Sequence, residues 1–180
     1  KTGRKKHPAS NQVARMNRPK IEIFNKVIPF QKSDGRGFEI KAKSADKGEI
    51  WIYEEIDDYW GMGPKNFAKE LKALGSVKSI DVRVNSPGGY VYDGIAIYNL
   101  LKQHSATVNV YIDGLAASIA SVIAMAGDTI NMAANSTMMI HNAWTVAAGD
   151  SEMLRDAAEL LDKCNGQIVK AYMARATVEE

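Results

Sequence analysis

The apolar and polar positions of the 180-residue chain change period several times, and each change marks an element. Residues 21–28 and 49–56 are rich in β-branched and aromatic side chains and predict strands, with Ser33, Asp34, Gly35, Arg36 and Gly37 between them as a turn or loop. Phe67, Leu71 and Leu74 recur at the helical spacing. Pro64 stands where a first helical turn tolerates it and Gly75 where a helix stops, so a helix is expected over 64–74. Ile80, Val82 and Val84 then alternate with Ser79, Asp81 and Arg83, which predicts a half-buried strand running into the tight loop Asn85-Ser86-Pro87-Gly88-Gly89. Ile95, Tyr98 and Leu101 predict a helix to about Gln103, Val108, Val110 and Ile112 a strand, and the almost wholly apolar run 115–126 a buried helix. Short strands are expected over 129–132 and 137–140. A long helix is expected over 151–174, with Met153, Ala157, Leu160, Leu161, Cys164, Ile168 and Ala171 along one side. Strands and helices alternate, so the fold class is α/β.

Composition narrows the function classes. With 46% apolar residues the chain can bury one substantial core, and one domain over residues 21–180 is the simplest division. Residues 1–20 carry seven Lys or Arg, no acid and almost no bulky apolar side chain, and are expected to form a disordered basic arm. No run of about 18 apolar residues is present to span a bilayer. The start lacks the apolar stretch of a secretory signal, which makes the cytoplasm the expected compartment. Cys164 is a lone cysteine, and His7, His104 and His141 are scattered, so neither an internal disulfide nor a zinc site is expected, nor any cofactor.

Three segments carry candidate chemistry. Gly114-Leu115-Ala116-Ala117-Ser118 joins a strand to the buried helix, and a serine there has unpaired backbone N–H groups beside it for an oxyanion. His141 ends the strand over 137–140, where a side chain can emerge into a cleft and act as the base that a serine hydroxyl needs. Gly88 and Gly89 expose backbone and suit close approach to a ligand. Taken singly, Ser118 reads as a packing or capping serine, His141 as a structural histidine and residues 85–89 as an ordinary turn.

In combination, Val84-Asn85-Ser86-Pro87-Gly88-Gly89, Gly114-Leu115-Ala116-Ala117-Ser118 and Met138-Met139-Ile140-His141, in this order and spacing, resemble the proteolytic subunit of the Clp protease over residues 75–175. The resemblance implies a Clp-protease/crotonase-like spiral of strand-strand-helix units with a long handle helix. It implies a serine endopeptidase with Ser118 as nucleophile, His141 as general base, and the N–H groups of Gly89 and Ile119 as oxyanion hole. An extended peptide would lie between Gly88-Gly89 and a strand at about 142–146. It implies a homo-oligomeric ring, with or without an ATPase partner, and a third catalytic residue, an aspartate, beyond Glu180, so that the C-terminal part of the domain is missing here. Ile56-Asp57-Asp58-Tyr59-Trp60-Gly61, Asp113 to Ser121 and Asn142-Ala143-Trp144 resemble the Clp-related head maturation proteases of phages and prophages, which implies a capsid or scaffold protein as substrate inside an assembling head. The rival readings are an acyl-CoA hydratase or isomerase relative, which needs no Ser–His pair, and an assembly subunit without activity.

Overall fold

The computed structural model describes residues 38–57 and 63–176. Their order is β1 (Phe38–Ser44), β2 (Lys47–Ile52), α1 (Pro64–Ala73), β3 (Ser79–Ser86), α2 (Val91–Lys102), β4 (Thr107–Ala117), α3 (Ile119–Ala124), β5 (Thr129–Met132), β6 (Thr137–Met139) and α4 (Ser151–Met173). The expected basic arm, the strand over 21–28 and the turn at 33–37 lie outside the described residues.

Six strands form one sheet in the order β1-β2-β3-β4-β5, with β6 also paired to β4. β1 and β2 are an antiparallel hairpin and the remaining pairs are parallel. Parallel neighbours need a crossover, and α1, α2 and α3 supply the three between β2 and β5. β4, at 11 residues, serves two partners in succession: Asn109–Ile112 pairs with β5 and Leu115–Ala117 with β6. This mixed α/β arrangement of strand and helix units followed by one long helix is the architecture expected from the sequence.

Alternation along the strands builds the core. Ile50 and Ile52, then Ile80, Val82 and Val84, then Val108, Val110 and Ile112 are buried together with Phe67 and Leu71 of α1, Ile97 and Leu101 of α2, and every residue of α3. Phe67 meets Phe38 edge to face with ring centroids 5.4 Å apart, which closes the β1 end of the core. Gly75 adopts φ +68° just past the last turn of α1, a backbone that glycine reaches without a Cβ penalty.

Two elements differ from the sequence pattern. The apolar run 115–126 divides, because Leu115–Ala117 complete β4 against β3 and β6, and α3 begins only at Ile119. A run in which nearly every residue is apolar fits both periods, and strand partners decide between them. β1 was not expected, although Phe38, Ile40 and Ala42 alternate with Glu39, Lys41 and Lys43 as a half-exposed hairpin strand should.

The other face of the sheet is polar and knit by charge. Arg83 donates from Nε and Nη2 to the two carboxylate oxygens of Asp113, at 2.9 and 2.5 Å. The Tyr53 hydroxyl donates to the same carboxylate at 2.6 Å, and the guanidinium lies over the rings of Trp51 and Tyr111. Trp51 Nε1 donates to Glu49 at 2.7 Å, and Lys43 pairs with that carboxylate at 2.7 Å. Burial pushes the Glu49 carboxyl up, but the hydrogen bonds from Lys43 and Trp51 and the charges of Lys43 and Arg83 outweigh it and hold the group below its ordinary value. The unfolded chain therefore takes up this proton first. The stability contributed by Glu49 is present above about pH 4.3 and is lost as pH falls through the folded value. Urea unfolding at pH 7 and pH 3 is expected to show a smaller acid loss of stability in Glu49→Gln than in the unsubstituted protein, and equal losses would remove Glu49 from this account.

Candidate active site

The site is assembled from three strand ends. Ser86, the last residue of β3, is fully buried; its Oγ donates to the Glu54 carbonyl at 2.7 Å and accepts the Gly88 N–H at 3.2 Å. The Ile56 N–H then donates to the Gly88 carbonyl and the Tyr90 N–H to the Ile56 carbonyl, both at 2.8 Å. These bonds flank Gly89 in an isolated parallel bridge, so the N–H and carbonyl of Gly89 itself face away from Ile56. Gly88 has φ +96° and Gly89 φ +150°. A Cβ at Gly88 would stand 2.7 Å from both the Ala117 carbonyl oxygen and Ser118 Cβ, and one at Gly89 would stand 2.1 Å from the Ile56 carbonyl oxygen. Glycine at both positions is thus a steric requirement for bringing this loop against Ser118.

Ser118 sits between β4 and α3 with φ 54° and ψ −129°, and among the described residues no other non-glycine residue has positive φ. Such a backbone costs about 1–3 kcal/mol and persists only where its surroundings enforce it. Here the Ser118 N–H donates to the Met139 carbonyl at 2.9 Å, and the Ser118 carbonyl accepts the Ser121 N–H at 3.0 Å and the Ser121 hydroxyl at 2.5 Å. Although Ser118 stands at the N-cap of α3, its side chain makes no capping hydrogen bond, so the capping reading does not hold. Ile119 opens the helix, where an N–H has no intrahelical acceptor. Its side chain is wedged against Gly94 of α2, where a Cβ would meet Ile119 Cγ1 at 2.2 Å, and this contact fixes the helix start.

Parallel pairing of Ala117 with Met139 places Ser118 one residue past the end of β4 and His141 two residues past the end of the neighbouring β6. His141 is half-buried, and no hydrogen bond joins it to Ser118 among the described residues. Beyond it the Ala143 N–H donates to Asn165 Oδ1 of α4 at 2.8 Å. The expected strand at 142–146 is not formed; Trp144 and Val146 there are 73% and 88% exposed. Asp150 caps α4 through the N–H groups of Glu152 and Met153, and Asp156 and Asp162 are exposed on that helix. His104 Nδ1 accepts the Ala106 N–H at 3.1 Å, and Cys164 is buried. The sequence pattern does not single out Ser121, although a lone hydroxyl within the apolar run 119–126 is the available signal, since a buried hydroxyl requires partners.

Residues 32–180 match the family model described as Clp protease. The chain belongs to the Clp protease family. It is 36% identical over 141 residues to an ATP-dependent Clp protease proteolytic subunit of Ligilactobacillus salivarius, covering 77% of this chain and 72% of that one. It is 31% identical over 121 residues to the protein of the same description from Bacteroides fragilis, covering 66% and 58%, and 35% identical over 97 residues to that from Deinococcus radiodurans, covering 53% and 48%. The chain thus spans about half to three fifths of the length of the latter two relatives. No helix of the described residues is long and apolar enough to cross a membrane.

The strained serine of this Clp-family chain yields a stability test. Glycine relieves a positive φ and alanine does not, so Ser118→Gly is expected to resist urea better than Ser118→Ala by about 1 kcal/mol. An alanine variant as stable as the glycine one would show that the junction is unstrained.

Proposed function

We propose that this chain is a Clp-type serine endopeptidase subunit in which Ser118 is the nucleophile and His141 its general base. The observation that carries the reading is the backbone of Ser118, held at φ 54° with its hydroxyl spent on no cap, against Gly88 and beside the strand end that leads to His141. A backbone held in a costly conformation at one residue is the kind of strain that a functional site retains.

The chemistry follows from the parts. The His141 imidazole takes the Ser118 proton as Oγ attacks the scissile carbonyl carbon, and the developing oxyanion is met by the Gly89 and Ile119 N–H groups. Collapse breaks the C–N bond, His141 returns the proton to the leaving amine, and water hydrolyses the acyl-enzyme by the same route. A Ser–His hydrogen bond often tightens only when substrate is bound, so its absence at rest is compatible with this cycle. The peptide is held extended along the Gly88-Gly89 segment, and pairing of its backbone there makes cleavage depend little on its sequence. The chemistry needs neither metal nor cofactor.

The exposed apolar residues Met153, Leu154, Leu160, Val169 and Met173 along α4 support a homo-oligomeric ring in which this helix packs against neighbouring subunits. Two settings for the peptidase are each favoured by an observation. The segments Asp113 to Ser121 and Asn142 to Trp144 support a phage or prophage head maturation protease that processes capsid or scaffold protein within an assembling head in a bacterial cytoplasm. The relatives' description as subunits of an ATP-dependent protease supports general proteolysis with an ATPase partner.

A fluorophosphonate probe tests the chemistry. Stoichiometric labelling of the natural full-length protein is expected, abolished in Ser118→Ala and reduced by at least about a hundredfold in His141→Ala. An unlabelled full-length protein would overturn the peptidase reading in favour of an assembly subunit without activity.

A further inference from the structure

Ser121 makes more side-chain hydrogen bonds than its place in an apolar helix requires. It is fully buried, and its Oγ lies 2.5 Å from the Ser118 carbonyl, 3.3 Å from the Met139 carbonyl and 2.6 Å from the Tyr172 hydroxyl of α4. A serine hydroxyl has one proton to donate, and both carbonyls can only accept. The Ser121 proton is therefore directed at the two carbonyls, which leaves its lone pairs to the phenol, so Tyr172 is the donor to Ser121. Burial pushes the titration of that phenol up and so keeps it protonated. The chain of donation runs from α4 through Ser121 into the backbone of Ser118.

The two carbonyls that receive this proton are the ones that define the site. Met139 O also takes the Ser118 N–H and lies two residues before His141, while Ser118 O belongs to the residue with the strained backbone and also takes the Ser121 N–H. One hydroxyl thus pins the nucleophile's junction and the strand that presents the base to each other. We propose that Ser121 and Tyr172 are positioning residues that form a relay from α4, holding Ser118 and the His141 strand in register for attack. The proposal rests on the reading of Ser118 as nucleophile.

The test is the fluorophosphonate labelling of full-length protein in which Ser121→Ala, Tyr172→Phe and the double variant are compared with the unsubstituted chain. The relay predicts that the limiting rate of labelling falls roughly tenfold to a hundredfold in Ser121→Ala, with the half-saturating probe concentration unchanged. Tyr172→Phe removes a single oxygen and keeps the ring packed; it is expected to give a smaller loss of the same kind, and none when Ser121 is already alanine. Amide hydrogen exchange supplies a readout independent of chemistry: the Ser118 amide is expected to exchange faster in both single variants while the amides of Ile80, Val82 and Val110 keep their protection. A limiting rate unchanged in Ser121→Ala, or additive losses in the double variant, would overturn the relay while leaving the nucleophile in place. Absence of labelling in the unsubstituted protein would overturn the nucleophile, and the positioning role with it.

Discussion

The hydrogen bond from the Ser118 N–H to the Met139 carbonyl is the constraint on which the rest of the site depends. It closes the last pair of the β4–β6 ladder, Ala117 with Met139, at the point where the chain must leave the sheet and begin a helix. Ser118 cannot satisfy both demands with an ordinary backbone. It stays in the sheet through its N–H and turns into α3 through its carbonyl, and the positive φ is the result. The strain is affordable because the whole of α3 is buried and the sheet below it is apolar, so the residues on either side have nowhere else to go.

The same logic accounts for the glycines. The loop after β3 approaches Ser118 so closely that no side chain fits at Gly88, and it is steadied from the other side by the bridge to Ile56, which leaves no room at Gly89. α2 starts directly after this loop and presses its own glycine, Gly94, onto Ile119. Two glycines thus let backbone come close, at Gly88 to Ser118 and at Gly89 to Ile56.

Hydrophobic periodicity made most elements legible. The alternation in β3 and the spacing of Phe67 and Leu71 in α1 each matched a single period, and those elements stand where the pattern put them, within a residue or two. The pattern failed in two places for physical reasons. In 115–126 nearly every side chain is apolar, so strand and helix bury it equally well and only the flanking strands β3 and β6 separate them. In β1 the lysines at 41 and 43 obscured an alternation that faces water on one side. Of the candidate site, Ser118, His141 and the paired glycines drew attention only in combination, because three motifs occur in order; taken singly each has an ordinary structural role. Ser121 drew none, because a small hydroxyl in a helix has no meaning until its partners are known.

What the sequence determined by itself was the α/β class, the order of most elements and the Clp family, since these follow from local period and from motifs along one chain. Tertiary structure alone decided that β4 runs on to Ala117, that Ser118 is strained and uncapped, and that the Tyr172 hydroxyl meets that of Ser121, 51 residues earlier in the chain. Each of these rests on a hydrogen bond between residues distant in sequence. Such a bond leaves no periodic trace along the chain, because its direction and length are fixed only when packing brings the partners together.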